Sequence, residues 1–265
     1  MAEGITELNR CVTVSVRSLV EFILRSGDLE SGSMVGSSVE SMQMGSKIHR
    51  KLQRLGGSGY LSEVSMKIEV PFEKEELPYT LLIEGRADGI FEQENLTWID
   101  EIKGVYRELY TLEKPEALHR AQVMCYAYIY AREKELERIG IRLTYCHIPT
   151  EEIKYFYEEF AFDELREWFT GLTAEYGKWA YWQLCWNERR NASIKNLIFP
   201  YDYRPGQKDL AQGVYRTILR KKKLFIEAPT GVGKTISTVF PAVKAMGEGI
   251  AEKLFYLTDV YKRQE

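Results

Sequence analysis

Asp88, Glu101 and Lys103 are side chains whose types and spacing could carry out hydrolytic chemistry. Residues 81–87 and 96–102 are apolar-rich, β-prone runs joined by a polar turn at 92–95, which predicts a hairpin. Asp88 then falls at the end of the first strand. Side chains alternate faces along a strand, so Glu101 and Lys103 share one face of the second, and Asp100 and Ile102 share the other. Two carboxylates about 4 Å apart at an effective dielectric of roughly 20 repel by about 4 kcal/mol, so convergence of Asp88 and Glu101 calls for a cation. Hard oxygen ligands that leave room for water and phosphate suit Mg²⁺ or Mn²⁺. A lysine just beyond one ligand lowers the pKa of an attacking water or steadies charge developing on a phosphate. The chemistry this predicts is metal-assisted phosphodiester hydrolysis.

Gly85, Arg86, Ala87 and Asp88, followed by Glu101, Ile102 and Lys103, resemble the catalytic core of the PD-(D/E)xK nucleases in their RecB-like branch, with Ala87 where the motif's name has proline. The segment from Gly45 to His49 resembles the branch's upstream helix, and Gln122 with Tyr126 its downstream helix motif; all stand in the family's order. The resemblance implies that His49, Asp88 and Glu101 hold the metal, with the carbonyl of Ile102 as an extra ligand. It assigns water activation to Lys103, and positioning of substrate or lysine to Gln122 and Tyr126. Taken singly these residues have plainer readings. His49 lies among Lys47, Arg50, Lys51 and Arg54 as on a solvated helix face, and Gln122 and Tyr126 suit a helix core.

The elements that must position these groups follow from periodicity. Residues 11–16 alternate as a strand and 17–25 carry helical spacing. Residues 27–41, rich in Gly and Ser, read as a loop, and the helix bearing His49 stops near Gly56 and Gly57. A strand at 62–70 ends at Pro71, and Glu63 is a further acidic candidate at the edge of the site. Pro115 opens a helix over 116–138 closed by Gly140. Strands follow at 141–148 and 153–160, then one helix at 163–191 whose Trp168, Trp179, Trp182 and Trp186 are expected to pack in the core or between domains. The expected class is α/β, a mixed sheet flanked by helices.

A second module follows. A short strand at 223–227 leads into Ala228, Pro229, Thr230, Gly231, Val232, Gly233, Lys234 and Thr235, then a helix over 235–246. This is a P-loop pattern with alanine in place of the first glycine: small residues let backbone amides wrap phosphates, Lys234 reaches the β and γ oxygens, and Thr235 ligates Mg²⁺. Upstream, Tyr203, Arg204, Pro205, Gly206 and Gln207 resemble the adenine-reading segment of superfamily 2 helicases. There Gln207 reads the adenine edge, with Tyr203 or Phe199 for stacking. Both segments together resemble the DinG/XPD group of DNA helicases, and the whole chain is similar to a bacterial DinG-like helicase carrying an N-terminal RecB-like nuclease. The expected division is a nuclease domain at 1–195, the beginning of a RecA-like motor at 196–258 with 254–258 as its second strand, and a tail at 259–265. That tail reads as translated sequencing-library adaptor, which implies a gene fragment lacking most of the motor.

Net charge is only −3, so the whole chain is no evident polyanion binder, but 195–223 holds eight Lys or Arg against Asp202 and Asp209. The four cysteines, Cys11, Cys125, Cys146 and Cys185, are dispersed. Neither zinc, disulfides nor the iron–sulfur cluster of some RecB-like nucleases is expected. No apolar span of membrane length or signal-like start is present, so a cytoplasmic protein is expected. The partners expected are ATP with Mg²⁺ and DNA that is single-stranded or has single-stranded ends. A nuclease fold kept only as a DNA clamp, or an NTPase unrelated to DNA, remains open.

Overall fold

Glu94 and Asn95 both adopt left-handed backbone (φ 54° and 60°), the geometry a two-residue hairpin turn needs to match strand twist. This tight turn lets β3 run over Tyr79–Gln93 and β4 over Leu96–Val105 in a computed structural model that describes residues 10–26, 39–74 and 77–257. Asp88 therefore lies inside β3 rather than at its end, because the turn takes two residues instead of four.

The chain packs as two compact units, Met1–Tyr181 and Trp182–Glu265. The division falls inside a helix, earlier than the expected 195.

In the first unit a six-stranded mixed sheet is built from β1 (Cys11–Ser15), β2 (Leu61–Phe72), β3, β4, β5 (Arg138–His147) and β6 (Ile153–Ala161). The path runs β1-β3-β4-β5-β6, and β2 pairs with β3. The β1–β3 and β4–β5 pairs are parallel and the others antiparallel. Pro71 is accommodated inside β2, which among the described residues pairs on one side only, so its missing N–H breaks no ladder on the other. Ser15 caps α1 (Val16–Leu24) by accepting from the Ser18 N–H at 3.0 Å, and Val16, Leu19 and Val20 turn inward.

Parallel pairing of β4 with β5 demands a crossover, supplied by α3 (Ala117–Glu133), which buries residues all round from Ala121 to Ala131. The expected extension of this helix to 138 is incorrect. Leu136 N–H returns to the Ala131 carbonyl with Glu135 left-handed, so the helix stops at Glu133. Gly140 is no helix stop either: it lies in β5 across from Trp98, whose ring a Cβ there would meet at 2.3 Å. Pro115 precedes the N-cap, Glu116, rather than opening the first turn.

Helix α4 (Phe162–Lys195) is present as expected, but its tryptophans are not core. Leu165, Phe169, Leu172 and Thr173 take the buried stripe, while Trp179, Trp182 and Trp186 are each about half exposed. Trp179 meets Phe22 edge-on, and Trp182 stacks on Trp186. The loop expected at 27–41 lies mostly outside the described residues; from Val39 the chain is already helical, α2 spanning Val39–Leu55.

The second unit holds the end of α4, α5 (Gln207–Leu219) and α6 (Lys234–Gly247). Lys244 Nζ donates to the carbonyls of Ile194, Lys195 and Leu197 at 3.0–3.3 Å, closing the C-terminus of α4. The strands expected at 223–227 and 254–258 do not form among the described residues, 258 lying outside them; 223–227 and 254–257 are unpaired there, with Phe225, Phe255 and Leu257 exposed. An apolar run becomes a strand only beside a ladder partner, and neither has one there. The tail at 259–265 lies outside the described residues. No described helix is long and apolar enough to cross a membrane.

Candidate active site

The site begins where two strands part. Gly89 and Asp100 form the last β3–β4 pair; beyond it β4 leaves β3 and pairs only with β5. Continuing the register would set Asp88 opposite Glu101, so both carboxylates face the opening gap. Asp88 Oδ2 accepts from the freed Ile102 N–H at 2.7 Å, replacing the lost ladder bond. A residue's N–H and C=O point to the same side of an extended strand, so the Ile102 carbonyl faces that gap too.

Helix α2 supplies one wall. Gly45, His49 and Gln53 recur at helical spacing and, with Arg50, Glu63, Arg86 and Asp88, line a groove of about 770 Å³. His49 Nδ1 lies 3.3 Å from Asp88 Oδ1. Burial pushes the imidazole down, but its hydrogen bond to Asp88 and the charges of Asp88 and Glu101 outweigh that, and its pKa is raised.

From α3, Gln122 Oε1 lies 3.3 Å from Lys103 Nζ, which also donates to Glu101 Oε1 at 2.7 Å. Burial drives the pKa of Tyr126 up to about 12, against interactions with Gln122 and the Arg86 backbone that lower it. Tyr126 also explains the glycine preceding Arg86: a Cβ at Gly85 would lie 2.7 Å from the phenol oxygen. The sheet thus brings Asp88, Glu101, Ile102 and Lys103 together, and α2 and α3 add His49, Gln122 and Tyr126.

Glu101 is buried, and burial raises its carboxyl to about 7 against the opposing charge of Lys103. Among the described residues its buried Oε2 has no hydrogen-bond partner. A bare carboxylate oxygen there is costly unless a proton or cation meets it. Among the described residues no three His, Cys, Asp or Glu side chains already form a set able to hold a metal ion. His49 is engaged by Asp88, and Lys103 takes one Glu101 oxygen. The orphan oxygen and the hard, oxygen-rich donors nevertheless fit Mg²⁺ or Mn²⁺, which fills its remaining positions with water or phosphate.

Asp100, adjacent to Glu101 but of opposite parity, has a structural role. It accepts from Tyr60 Oη, Thr144 Oγ1 and both Arg142 donors at 2.6–3.1 Å. Sequence reasoning missed this network, and also Gln53, whose amide bridges the Asp88 carbonyl and Glu63. The spacing of Gln53, one helical turn beyond His49, is the signal that could have found it.

In the second unit Gly231 and Gly233 are left-handed (φ 83° and 75°), a backbone glycine adopts without strain, and Gly233 caps α6. Lys234 Nζ folds onto the carbonyls of Ala228 (2.7 Å) and Pro229 (3.0 Å). Thr235 Oγ1 meets Tyr256 Oη at 3.2 Å. Gln207, placed upstream by sequence, is buried and tied to the loop: its amide donates to the Val232 carbonyl (3.3 Å) and accepts from the Arg204 N–H (3.0 Å). Arg204 also donates to the Gly231 carbonyl. Phe199 and Tyr203 stack on each other at 4.2 Å.

No family model and no curated protein matches this sequence. Among solved structures, one described as "Crystal structure of SSO0001" is 21% identical, covers 58% of this chain and 69% of its own, and superposes with a TM-score of 0.37.

Proposed function

We propose that the first unit is a RecB-like PD-(D/E)xK deoxyribonuclease dependent on Mg²⁺ or Mn²⁺, joined to an ATP-binding P-loop module of the DinG/XPD helicase type. The assembly would act in DNA repair, recombination or replication. The observation that carries the reading is the convergence of Asp88, Glu101 and Lys103 where β3 and β4 part, with one buried Glu101 oxygen left without a partner among the described residues.

His49, Asp88, Glu101 and the Ile102 carbonyl would hold the cation. When bound, it supplies Lewis-acid polarisation of the phosphate and a water acidified toward neutral pH. Lys103 directs its ammonium into the same space, where it offsets negative charge developing on the phosphate. Gln122 holds that ammonium from α3, and Tyr126 fixes Gln122 in turn. In the second unit the left-handed glycines shape the phosphate loop, Lys234 would exchange its carbonyl partners for β and γ oxygens, and Thr235 would ligate Mg²⁺. Gln207 braces the loop from α5.

The rival is a clamp that keeps the fold and binds DNA without cutting it; the Lys103–Glu101 pair, closed in this structure, is the observation that favours it. Digestion of circular and linear single-stranded DNA by the full chain with Mn²⁺ separates the two. Cleavage that fails without metal supports the nuclease. DNA binding with no cleavage in Mg²⁺, Mn²⁺ or Ca²⁺ supports the clamp.

A further inference from the structure

The strand opposite Asp88 is distorted at one residue. Ser62 pairs with Gly89 and Val64 with Ala87, so Glu63 lies directly across from Asp88, yet the pairing lapses there and Glu63 is left-handed (φ 58°). A non-glycine residue holds that conformation at a cost, and such strain persists where the surroundings enforce it, often beside functional sites. The surroundings here are specific. Gln53 takes the Asp88 carbonyl at 3.0 Å and Glu63 Oε1 at 2.9 Å, and Glu63 Oε2 accepts from Arg86 Nε at 2.6 Å.

Arg86 precedes Asp88 by two residues on β3, so its side chain leaves the same face, and both line the groove. The Arg86 and Glu63 side chains are 64% and 40% exposed, so water and solutes reach this ion pair. Arg50 lines the same groove. The groove thus has acids at its base, where a cation is needed, and guanidinium groups beside them, where the backbone of a polyanion would pass. Arginine's planar fork binds phosphate as readily as carboxylate.

We propose that Arg86 binds the DNA phosphate next to the one being cut, and that Glu63 is the stand-in anion that holds this guanidinium until DNA arrives. This inference rests on the nuclease reading of the same groove. Its content is an exchange: Glu63 restrains Arg86 in the free protein and competes with the strand for it.

Affinity of the full chain for a fluorescein-labelled oligothymidylate, followed by anisotropy with Ca²⁺ as the metal, tests the exchange without requiring cleavage. Glu63→Gln and Glu63→Gly should each tighten binding about threefold to fivefold, the scale of a released exposed ion pair. The glycine variant also relieves the left-handed backbone, so it keeps the test open if the glutamine variant folds poorly. Arg86→Ala should weaken binding about tenfold, as loss of one charge-assisted phosphate contact does. It should also flatten the logarithmic salt dependence by about 0.7, the single-strand value per phosphate. In the Arg86→Ala background, Glu63→Gln should no longer tighten binding. Unchanged or weaker binding by both folded Glu63 variants, equal tightening without Arg86, or no dependence on Arg86 would overturn the proposal. Cleavage with no role for Arg86 removes this inference alone. The predicted binding pattern without cleavage in Mn²⁺ keeps the exchange and removes the nuclease reading, and absence of DNA binding removes both.

Discussion

Asp88 Oδ2 accepts a hydrogen bond from the Ile102 N–H at 2.7 Å, so a side chain of β3 occupies the ladder position that β4 vacates as it turns away. This one contact sets the spacing of the site, because it fixes the aspartate beside the strand that carries Glu101 and Lys103. Asp88→Asn keeps a hydrogen-bonding side chain but loses the charge, whereas Asp88→Ala also frees a backbone donor. Both should abolish cleavage. Only the alanine variant should lose about 1–3 kcal/mol of stability, the cost of an unsatisfied buried group; equal losses in urea denaturation would show that the contact holds nothing in place.

Lys103→Ala should lower the cleavage rate by two or more decades, on the order of general acid–base or electrostatic catalysis. Circular dichroism should show the fold intact, since Lys103 sits at the edge of the gap. Single-turnover cleavage within about threefold of wild type would deny the lysine its role.

Gly85→Ala should destabilise the chain by about 1–3 kcal/mol through overpacking against Tyr126. Tyr126→Ala removes the obstructing ring, so the glycine substitution should cost little in that background. A double-mutant cycle on denaturation free energies reads the coupling, and strict additivity would refute the contact.

His119 offers a pH test apart from Asp88 and Glu101, although Glu116 Oε2 lies 3.4 Å from its Nδ1. Burial, helped by the charges of Lys103, Arg107 and Arg17, lowers its pKa to about 4 from an ordinary 6.5. Its Nδ1 lies 2.9 Å from the Tyr145 hydroxyl. The fold therefore favours the neutral ring. That stability is complete above pH 6.5 and is lost as pH falls toward 4, a contribution of about 3 kcal/mol. The wild-type and His119→Gln stability curves should converge across that window. Curves that stay parallel would exclude the linkage.

Much of the first unit could be read from the sequence, and the failures have physical reasons. Alternation separated Glu101 from Asp100, and the structure bears out that parity: one faces the gap and the other anchors Tyr60, Arg142 and Thr144. The long helix at 163–191 was legible, yet the facing of its tryptophans was not. The buried stripe through Leu165, Phe169 and Leu172 competes with them, and ring size alone does not decide which side turns inward. Gly140 looked like a helix stop because residue type cannot reveal the Trp98 ring across the strand. The kink at Glu63 depends on the β2–β3 register, which only the folded sheet fixes. The run at 223–227 has strand composition, but composition supplies no neighbour to pair with.

ATP with Mg²⁺ should raise the thermal stability of the second unit, by about 2.7 kcal/mol at a hundredfold excess over Kd. Lys234→Ala should erase that gain if the side chain now folded onto Ala228 and Pro229 is the one that turns to the phosphates, as proposed. An undiminished nucleotide-induced shift in the variant would place the nucleotide elsewhere.

The most direct test of the shared cation is anomalous scattering from crystals of the chain grown with Mn²⁺. We predict one strong peak between Asp88 and Glu101, roughly 2.1 Å from Glu101 Oε2, as oxygen ligands of a small hard cation require. The same peak should vanish in Glu101→Gln crystals. Manganese absent from that gap, with Glu101 still closed on Lys103 at saturating metal, would contradict the account.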